Sequence, residues 1–199
     1  MKKLRFICAG VKALFYLKVL KRNYPLALRW QLLDRCSNRC LYCSLWKSPR
    51  KEMNLEEIKR ILNEVKKAGT VRISYSGGEP LLRNDIYEII RYTKILGISP
   101  SINTCGAMFE KKEKAIKLLD LVKISIDGKK ETHDFIANRN GSFEEAIKAV
   151  ELAKKWKVKT VITTTISNYN LDDIDFLLEL SQKYNLKIKI FTILHLKES

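Results

Sequence analysis

Residues 28–43 of this chain read LRWQLLDRCSNRCLYC, and this stretch decides how the sequence is interpreted. It joins a short apolar, β-prone run, Leu28–Leu33, to a loop in which Cys36, Cys40 and Cys43 are spaced C-x3-C-x2-C. Three thiolates on one loop can bind one face of a soft metal centre. A closed zinc site needs a fourth ligand, whereas three cysteines leave one iron of a [4Fe–4S] cluster open. The spacing favours an iron–sulfur cluster, with zinc or unliganded thiols as alternatives.

The succession of a β-prone run and an amphipathic helix recurs from residue 28 to the end of the chain. Such alternation predicts an α/β fold with a parallel sheet and outer helices, in which functional residues follow the strands. The predicted strands are Leu28–Leu33, Val71–Tyr75, Ile98–Asn103, Leu121–Ile126, Val158–Thr165 and Lys187–Ile193. The predicted helices are Leu55–Ala68, Asp85–Leu96, Lys111–Leu119, Phe143–Trp156 and Leu171–Tyr184. Periodicity leaves open whether the sheet curls into part of a barrel.

A second group of polar and glycine residues, Ser76-Gly77-Gly78-Glu79-Pro80, follows the second predicted strand. Two glycines at the end of a strand allow the backbone to approach a ligand and to adopt a positive φ. Glu79 adds a carboxylate that can hold a positively charged group. Taken alone, the segment is better explained as a plain Gly-Gly turn that leads into the next helix.

Together the two segments resemble the motifs of the radical S-adenosylmethionine (radical SAM) superfamily. The resemblance covers Leu28 to about Ile193 and implies a partial (βα)6 TIM-like barrel. Ser125-Ile126-Asp127-Gly128, at the end of the fourth predicted strand, is similar to a signature of the SPASM/twitch branch. Many members of that branch carry an arginine four residues beyond the histidine that corresponds to His133. This chain has Ala137 there, and Arg139 is the alternative.

The resemblance also implies cofactors and site residues. Cys36, Cys40 and Cys43 would hold three irons of a [4Fe–4S] cluster, and S-adenosylmethionine would chelate the fourth. Reductive cleavage would give a 5′-deoxyadenosyl radical that abstracts hydrogen from an unknown substrate, in an enzyme of oxidoreductase or transferase type. The implied cofactor contacts are Tyr42 near the adenine, Gly77, Gly78 and Glu79 at the methionine ammonium, Asn103, and Ser125 at the ribose or carboxylate. No residue is assigned a catalytic role.

The remaining cysteines and histidines are expected to be structural. Cys8 and Cys105 are more typical of small buried residues than of ligands. Neither His133 nor His195 lies in a motif that compels catalysis. Cys105 is the one cysteine after Cys43, so a second cluster has too few ligands in this sequence.

The chain has 199 residues, with 38 Lys+Arg against 22 Asp+Glu and a net charge of +16. We expect a basic, apolar N-terminal extension over residues 1–27 and a core domain over residues 28–199, lacking its last helix and any C-terminal domain. The first thirty residues carry basic side chains and no acidic one, which is typical either of a segment that contacts a polyanion, such as acidic lipid head groups or nucleic acid, or of an extension that caps one end of the fold. Lysines interrupt the apolar run Phe6–Leu20, so a membrane span is excluded.

The sequence gives less detailed expectations for the substrate and the partners. Peptide or cofactor maturation ranks slightly ahead of modification of a lipid, and a ferredoxin or flavodoxin is the expected reductant. The expected location is the cytoplasm, with peripheral contact at the inner face of the membrane through the N-terminus as an addition. The alternative function from another class is a zinc-stabilised basic module that binds nucleic acid.

Overall fold

The fold is a six-stranded parallel sheet whose strands are ordered as they occur in the sequence. A computed structural model describes residues 2–19, 21, 24–47 and 50–192. The strands are β1 Ala27–Leu33, β2 Arg72–Gly77, β3 Ser99–Thr104, β4 Leu121–Ser125, β5 Thr160–Ile166 and β6 Lys187–Thr192. Each predicted strand is therefore confirmed to within about two residues at its ends, except that Ile193 lies outside the described residues.

Helices connect the strands and cover the outer face of the sheet. They are α1 Lys2–Lys18, α2 Leu55–Lys67, α3 Ile86–Ile95, α4 Glu113–Ile116, α5 Lys130–Ala137, α6 Ser142–Lys155 and α7 Ile174–Tyr184. The predicted helix Lys111–Leu119 is shorter in the structure, because a 3-10 turn over Glu110–Lys112 precedes the single turn of α4. The sequence prediction missed α5. This helix has eight residues and no side-chain hydrogen bond at its N-cap, so the usual start signal is missing.

The hydrophobic core lies between the sheet and the helices. Side chains of a strand alternate between its two faces, so every second residue points outward into this core. Fully buried examples on the strands are Ile73, Tyr75, Ile102, Val122, Ile124 and Ile162. The opposite, inner face is polar, with Arg29, Ser74, Asn103, Lys123 and Thr163 around a cavity. The core therefore fixes the sheet while leaving its inner face free for ligands.

Helix α1 precedes the sheet and leaves many apolar side chains exposed. The exposed residues are Ile7, Val11, Leu14, Phe15, Leu17 and Val19. Cys8 is exposed as well, so the prediction that it is buried is wrong; it lies on a face of α1 that the described residues leave uncovered. Among the described residues, no helix has the length and apolar character needed to cross a membrane.

Candidate active site

The cysteine loop lies above the carboxyl ends of the strands, as the sequence predicts. Cys36, Cys40 and Cys43 open onto one cavity of about 250 Å³. The other predicted site residues that line it are Tyr42, Gly77, Gly78, Asn103 and Ser125. The structure thus brings the three thiols together with five of the six predicted cofactor contacts. All three cysteines are free thiols.

Helix α5 holds the cysteine loop in place. The backbone amide of Arg39 donates to the carbonyl of Ala137, and that of Leu41 donates to the carbonyl of Ile136, each at 2.9 Å. These carbonyls belong to the last turn of α5, which has no partners within the helix for them. The loop therefore depends on the element that the sequence prediction missed.

A buried side-chain network ties the same loop to the start of α6. The Asn38 amide nitrogen donates to Ser142 Oγ at 2.9 Å, and Arg139 Nε donates to Asn38 Oδ1 at 2.6 Å. A second nitrogen of Arg139 forms an ion pair with Glu145 at 2.7 Å. Ala137 lines the cavity whereas Arg139 does not. The structure therefore places Arg139 as a support of the loop and not at the position that the missing arginine would occupy.

The two glycines after β2 lie against the chain that leads to Cys36. The amide of Gly78 donates to the carbonyl of Leu33, and the amide of Glu79 donates to the carbonyl of Arg35, both at 2.8 Å. A Cβ on Gly78 would lie well inside the contact distance of the Arg35 carbonyl oxygen. Gly77 has φ +124°, and a Cβ there would collide with the Leu33 carbonyl. Only glycines permit this close approach of the two segments.

Glu79 is the one predicted contact that does not line the cavity. Its carboxylate is buried and accepts hydrogen bonds from Thr104 Oγ1 at 2.9 Å, from the amide of Cys105 at 2.8 Å and from the amide of Leu81 at 3.0 Å. Burial raises the pKa of Glu79 well above its ordinary value. The carboxylate joins the end of β2 to the end of β3, so it is satisfied within the protein.

The thiols differ in their surroundings. Burial raises the pKa of Cys40 to about 12, with a further contribution from the charge of Asp127. A hydrogen bond with Cys105 lowers the pKa of Cys36. Cys105 also lies 3.5 Å from Ser37 Oγ and lines the cavity, so it is a neighbour of the cysteine loop. We expected Cys105 to be a small buried residue, and its position after β3 is the sequence signal that could have assigned it to this site.

Two buried polar atoms of the described residues have no hydrogen-bond partner, and both line this cavity: Trp46 Nε1 and Asn103 Oδ1. Buried polar groups are paired in nearly all folded proteins, so an unpaired donor and an unpaired acceptor in one cavity indicate a polar ligand. Three free thiols are suitable ligands for an iron–sulfur cluster. No three His, Cys, Asp or Glu side chains of the described residues converge on a single metal ion. The three free thiols and the two unpaired polar atoms are a donor set that fits a cluster and a polar cofactor.

The sequence prediction missed Asp127 as a cavity residue. Asp127 accepts hydrogen bonds from the Tyr42 hydroxyl at 2.7 Å and from the Thr165 amide at 2.8 Å. Burial raises its pKa to about 6, while the two donors act in the opposite direction. The Tyr42 hydroxyl is consequently turned to Asp127. The motif at residues 125–128 contained this signal, but only Ser125 was selected from it.

His133, for which we expected a surface or structural position, is buried and lines the cavity, and both of its ring nitrogens have partners within the protein. Its Nδ1 accepts from the Asp127 amide at 3.0 Å, and its Nε2 lies 3.2 Å from Ser142 Oγ. Burial lowers the pKa of His133 to about 4, so the ring is neutral at pH 7. His195 lies outside the described residues.

Comparison with known proteins gives a consistent result. Residues 30–181 match the family model described as the radical SAM superfamily. The chain is 32% identical over 169 residues to the AdoMet-dependent heme synthase of Methanosarcina barkeri, covering 81% of this chain and 48% of that protein. It is 35% identical over 173 residues to the GTP 3′,8-cyclase of Aquifex aeolicus, covering 77% of this chain and 52% of that protein. The chain thus spans about half the length of these relatives.

The fold is also similar to a solved structure, that of Streptococcus suis SuiB bound to S-adenosylmethionine. The TM-score is 0.79 at 18% identity, over 96% of this chain and 46% of that chain. At this identity the similarity establishes the architecture alone, and it confirms the partial barrel.

Proposed function

This chain belongs to the radical SAM superfamily, and we propose that it acts as a radical SAM enzyme whose cofactors occupy the cavity at the cysteine loop. Members of this family use a [4Fe–4S] cluster and S-adenosylmethionine. The observation that carries the proposal is the convergence of the three free thiols and two unpartnered polar atoms on one cavity. The chain aligns with only about half the length of these relatives, so the activity of the whole protein is a proposal.

In this proposal Cys36, Cys40 and Cys43 hold three irons of the cluster. When bound, the cluster and S-adenosylmethionine supply reductive cleavage of the sulfonium and hydrogen abstraction from a substrate. Trp46 lines the cavity beside the cysteines, where its ring excludes water from the cluster.

The other site residues bind and orient S-adenosylmethionine. The Gly77–Gly78 backbone borders the position proposed for the methionine group, and Asn103 Oδ1 is free to accept a hydrogen bond from the cofactor. Ser125 presents its hydroxyl, and the ring of Tyr42 is held by Asp127. Glu79 is proposed as a positioning residue that fixes the two glycines through Thr104 and the amide of Cys105.

We propose peptide maturation, cofactor maturation or lipid modification as the substrate class. A ferredoxin or flavodoxin is the proposed reductant, and the cytoplasm is the proposed location. Neither the relatives nor the described residues support membrane contact through the N-terminus. The family match does not favour a zinc-stabilised nucleic-acid-binding module. We also propose a division into an extension over residues 1–27 and a core domain over residues 28–199. The start of β1 at Ala27, next to the proposed boundary, supports it.

The test compares Cys40→Ala with Cys8→Ala, a matched variant in which an exposed cysteine outside the loop is removed. Each protein is reconstituted anaerobically with iron and sulfide, then incubated with dithionite and S-adenosylmethionine. We expect wild type and Cys8→Ala to be brown and to release 5′-deoxyadenosine, whereas Cys40→Ala loses both properties. Full iron uptake and cleavage by Cys40→Ala would contradict the proposal, and a colourless wild-type protein containing one zinc would support the alternative. A brown wild-type protein that releases no 5′-deoxyadenosine would indicate a cluster-binding member without turnover.

A further inference from the structure

A second cavity, of about 640 Å³, lies on the inner face of the sheet next to the cofactor cavity. This volume is within the range of small-molecule sites, roughly 300–1,000 Å³. The two cavities share their lining residues Arg29, Tyr42, Asn103, Ser125 and Thr165. A molecule bound in the second cavity would therefore be in direct contact with a cofactor bound in the first.

The second cavity is positively charged. Arg29 of β1, Lys123 of β4 and Lys189 of β6 line it from three strands, and none of the described residues that line it is a carboxylate. None of the three cations forms an ion pair with a carboxylate of the described residues. Lys123 Nζ donates to Ser74 Oγ at 2.7 Å, and Arg29 Nε donates to Ser76 Oγ at 3.2 Å. A hydroxyl does not compensate a positive charge as a carboxylate does.

The cations also act on one another. Lys123 is half-buried, and burial lowers its pKa below the ordinary value of a lysine. The positive charges of Lys189, Arg29 and Arg72 lower it further. Like charges that line one cavity repel one another, and an anion placed among them would relieve the repulsion.

The rest of the lining suits the same kind of ligand. Hydroxyls of Ser74, Ser125, Thr163 and Thr165 face the cavity from β2, β4 and β5. Hydroxyl and cationic donors together are the groups that bind oxyanions. The adjacent strands are in register, with Ser125 paired to Thr163 and Thr163 to Lys189. The sheet therefore presents these donors on a rigid surface.

We propose that the substrate is a compact anion with at least two carboxylate or phosphate groups, held by Arg29, Lys123 and Lys189. This inference rests on the proposed function, because it takes the cavity beside the cofactors as the substrate site. The proposed ligand is a small anionic molecule, because a lipid tail or an uncharged peptide would leave the three cations without partners.

The experiment measures anion binding by calorimetry under anaerobic conditions, on the reconstituted protein with S-adenosylmethionine present. The probes are tricarballylate, its neutral triamide and inorganic pyrophosphate. We expect the wild-type protein to bind at least one of the two anions and to bind the triamide at least about tenfold more weakly. Preference for tricarballylate or for pyrophosphate then distinguishes a carboxylate from a phosphate substrate.

Four variants assign the binding to the cavity. Lys189→Gln and Arg29→Gln should each weaken binding of the preferred anion by about tenfold, because each removes one charge from the site. Both positions are exposed, so neither change disturbs the core. Lys114→Gln, which removes the same charge from an exposed position of α4 outside the cavity, should change binding by less than about twofold. Lys189→Arg keeps the charge and should retain binding.

The inference is overturned if the wild-type protein binds neither anion, if the triamide binds as well as the anions, or if Lys114→Gln weakens binding as much as Lys189→Gln. These outcomes are separable from failure of the proposed function. A wild-type protein that releases 5′-deoxyadenosine but binds no anion overturns the substrate class alone. One that binds the anion in the cavity but never cleaves S-adenosylmethionine overturns the enzymatic proposal alone.

Discussion

At the scale of single residues, Gly78 shows how backbone contact restricts the sequence at the site. The Arg35 carbonyl occupies the space that a Cβ would need. Gly78→Ala should therefore lower the free energy of unfolding by about 2 kcal/mol or more, since the obstacle is backbone and cannot rotate away. Urea unfolding measures this loss. Gly10→Ala is the control, because nothing lies within 4 Å of its Cβ position and it is helical. A neutral Gly78→Ala would contradict the close packing of the two segments.

His133 makes the stability depend on pH. Its pKa is about 4 in the folded chain against 6.5 ordinarily, so the unfolded chain binds the proton more readily. The neutral His133 ring therefore contributes about 3 kcal/mol to the free energy of unfolding. This contribution is complete above about pH 6.5 and is lost as the pH falls towards about 4. His133→Asn keeps an acceptor for the Asp127 amide and does not titrate. Unfolding of both apo proteins across this range should show the wild type losing more stability; parallel pH profiles would contradict the prediction.

Some site residues could be predicted from the sequence and others could not. The three cysteines lie within eight residues and Gly77 and Gly78 are consecutive, so these two short segments could be identified together by their resemblance to the radical SAM motifs. The hydrogen bond between Tyr42 and Asp127 and the unpaired Asn103 Oδ1 appear only in the folded chain. Neither the burial of a side chain nor a missing hydrogen-bond partner can be detected before the strands are assembled.

At the scale of elements, the cysteine loop depends on α5 and α6. Asn38 is buried and bonds both Ser142 and Arg139. Asn38→Ala should lower the free energy of unfolding by about 1–3 kcal/mol, because it leaves these partners unsatisfied. It should also shorten the lifetime of the reconstituted cluster in the presence of an iron chelator, measured by loss of visible absorbance.

The control for this prediction is Asn63→Ala. Asn63 lies on α2, where its amide nitrogen donates to the Lys59 carbonyl and to the Tyr92 hydroxyl, both at 3.0 Å, away from the loop. It should lower stability to a similar extent without affecting the cluster. Equal cluster lifetimes in the two variants would show that the network does not support the loop.

The strands were predictable because each is a β-prone run bounded by turn residues, and the long helices because their apolar positions recur every three to four residues. Helix α5 could not be predicted in this way, because it is short and its buried residues include the polar residues His133 and Asp134. Polar residues that are buried to support a neighbouring loop do not follow a hydrophobic pattern. The error thus fell on an element whose function is to hold the site.

At the scale of the whole molecule, the net charge of +16 opposes folding. Positive charges on the inner face of the sheet add a local repulsion. Raising KCl from about 20 mM to about 300 mM should therefore raise the urea midpoint of the apo protein, by the equivalent of about 1 kcal/mol, because salt screens repulsion between exposed charges. A midpoint that falls with KCl would show that ion pairs outweigh the repulsion.

Strand order along the sheet equals order along the chain, with the cysteine loop attached to a helix that comes much later. During synthesis on the ribosome, each new strand can add to the growing edge as it emerges. The carbonyls of α5 that anchor the loop emerge only after β4. A nascent chain therefore exposes its three cysteines before α5 is available to anchor the loop that carries them.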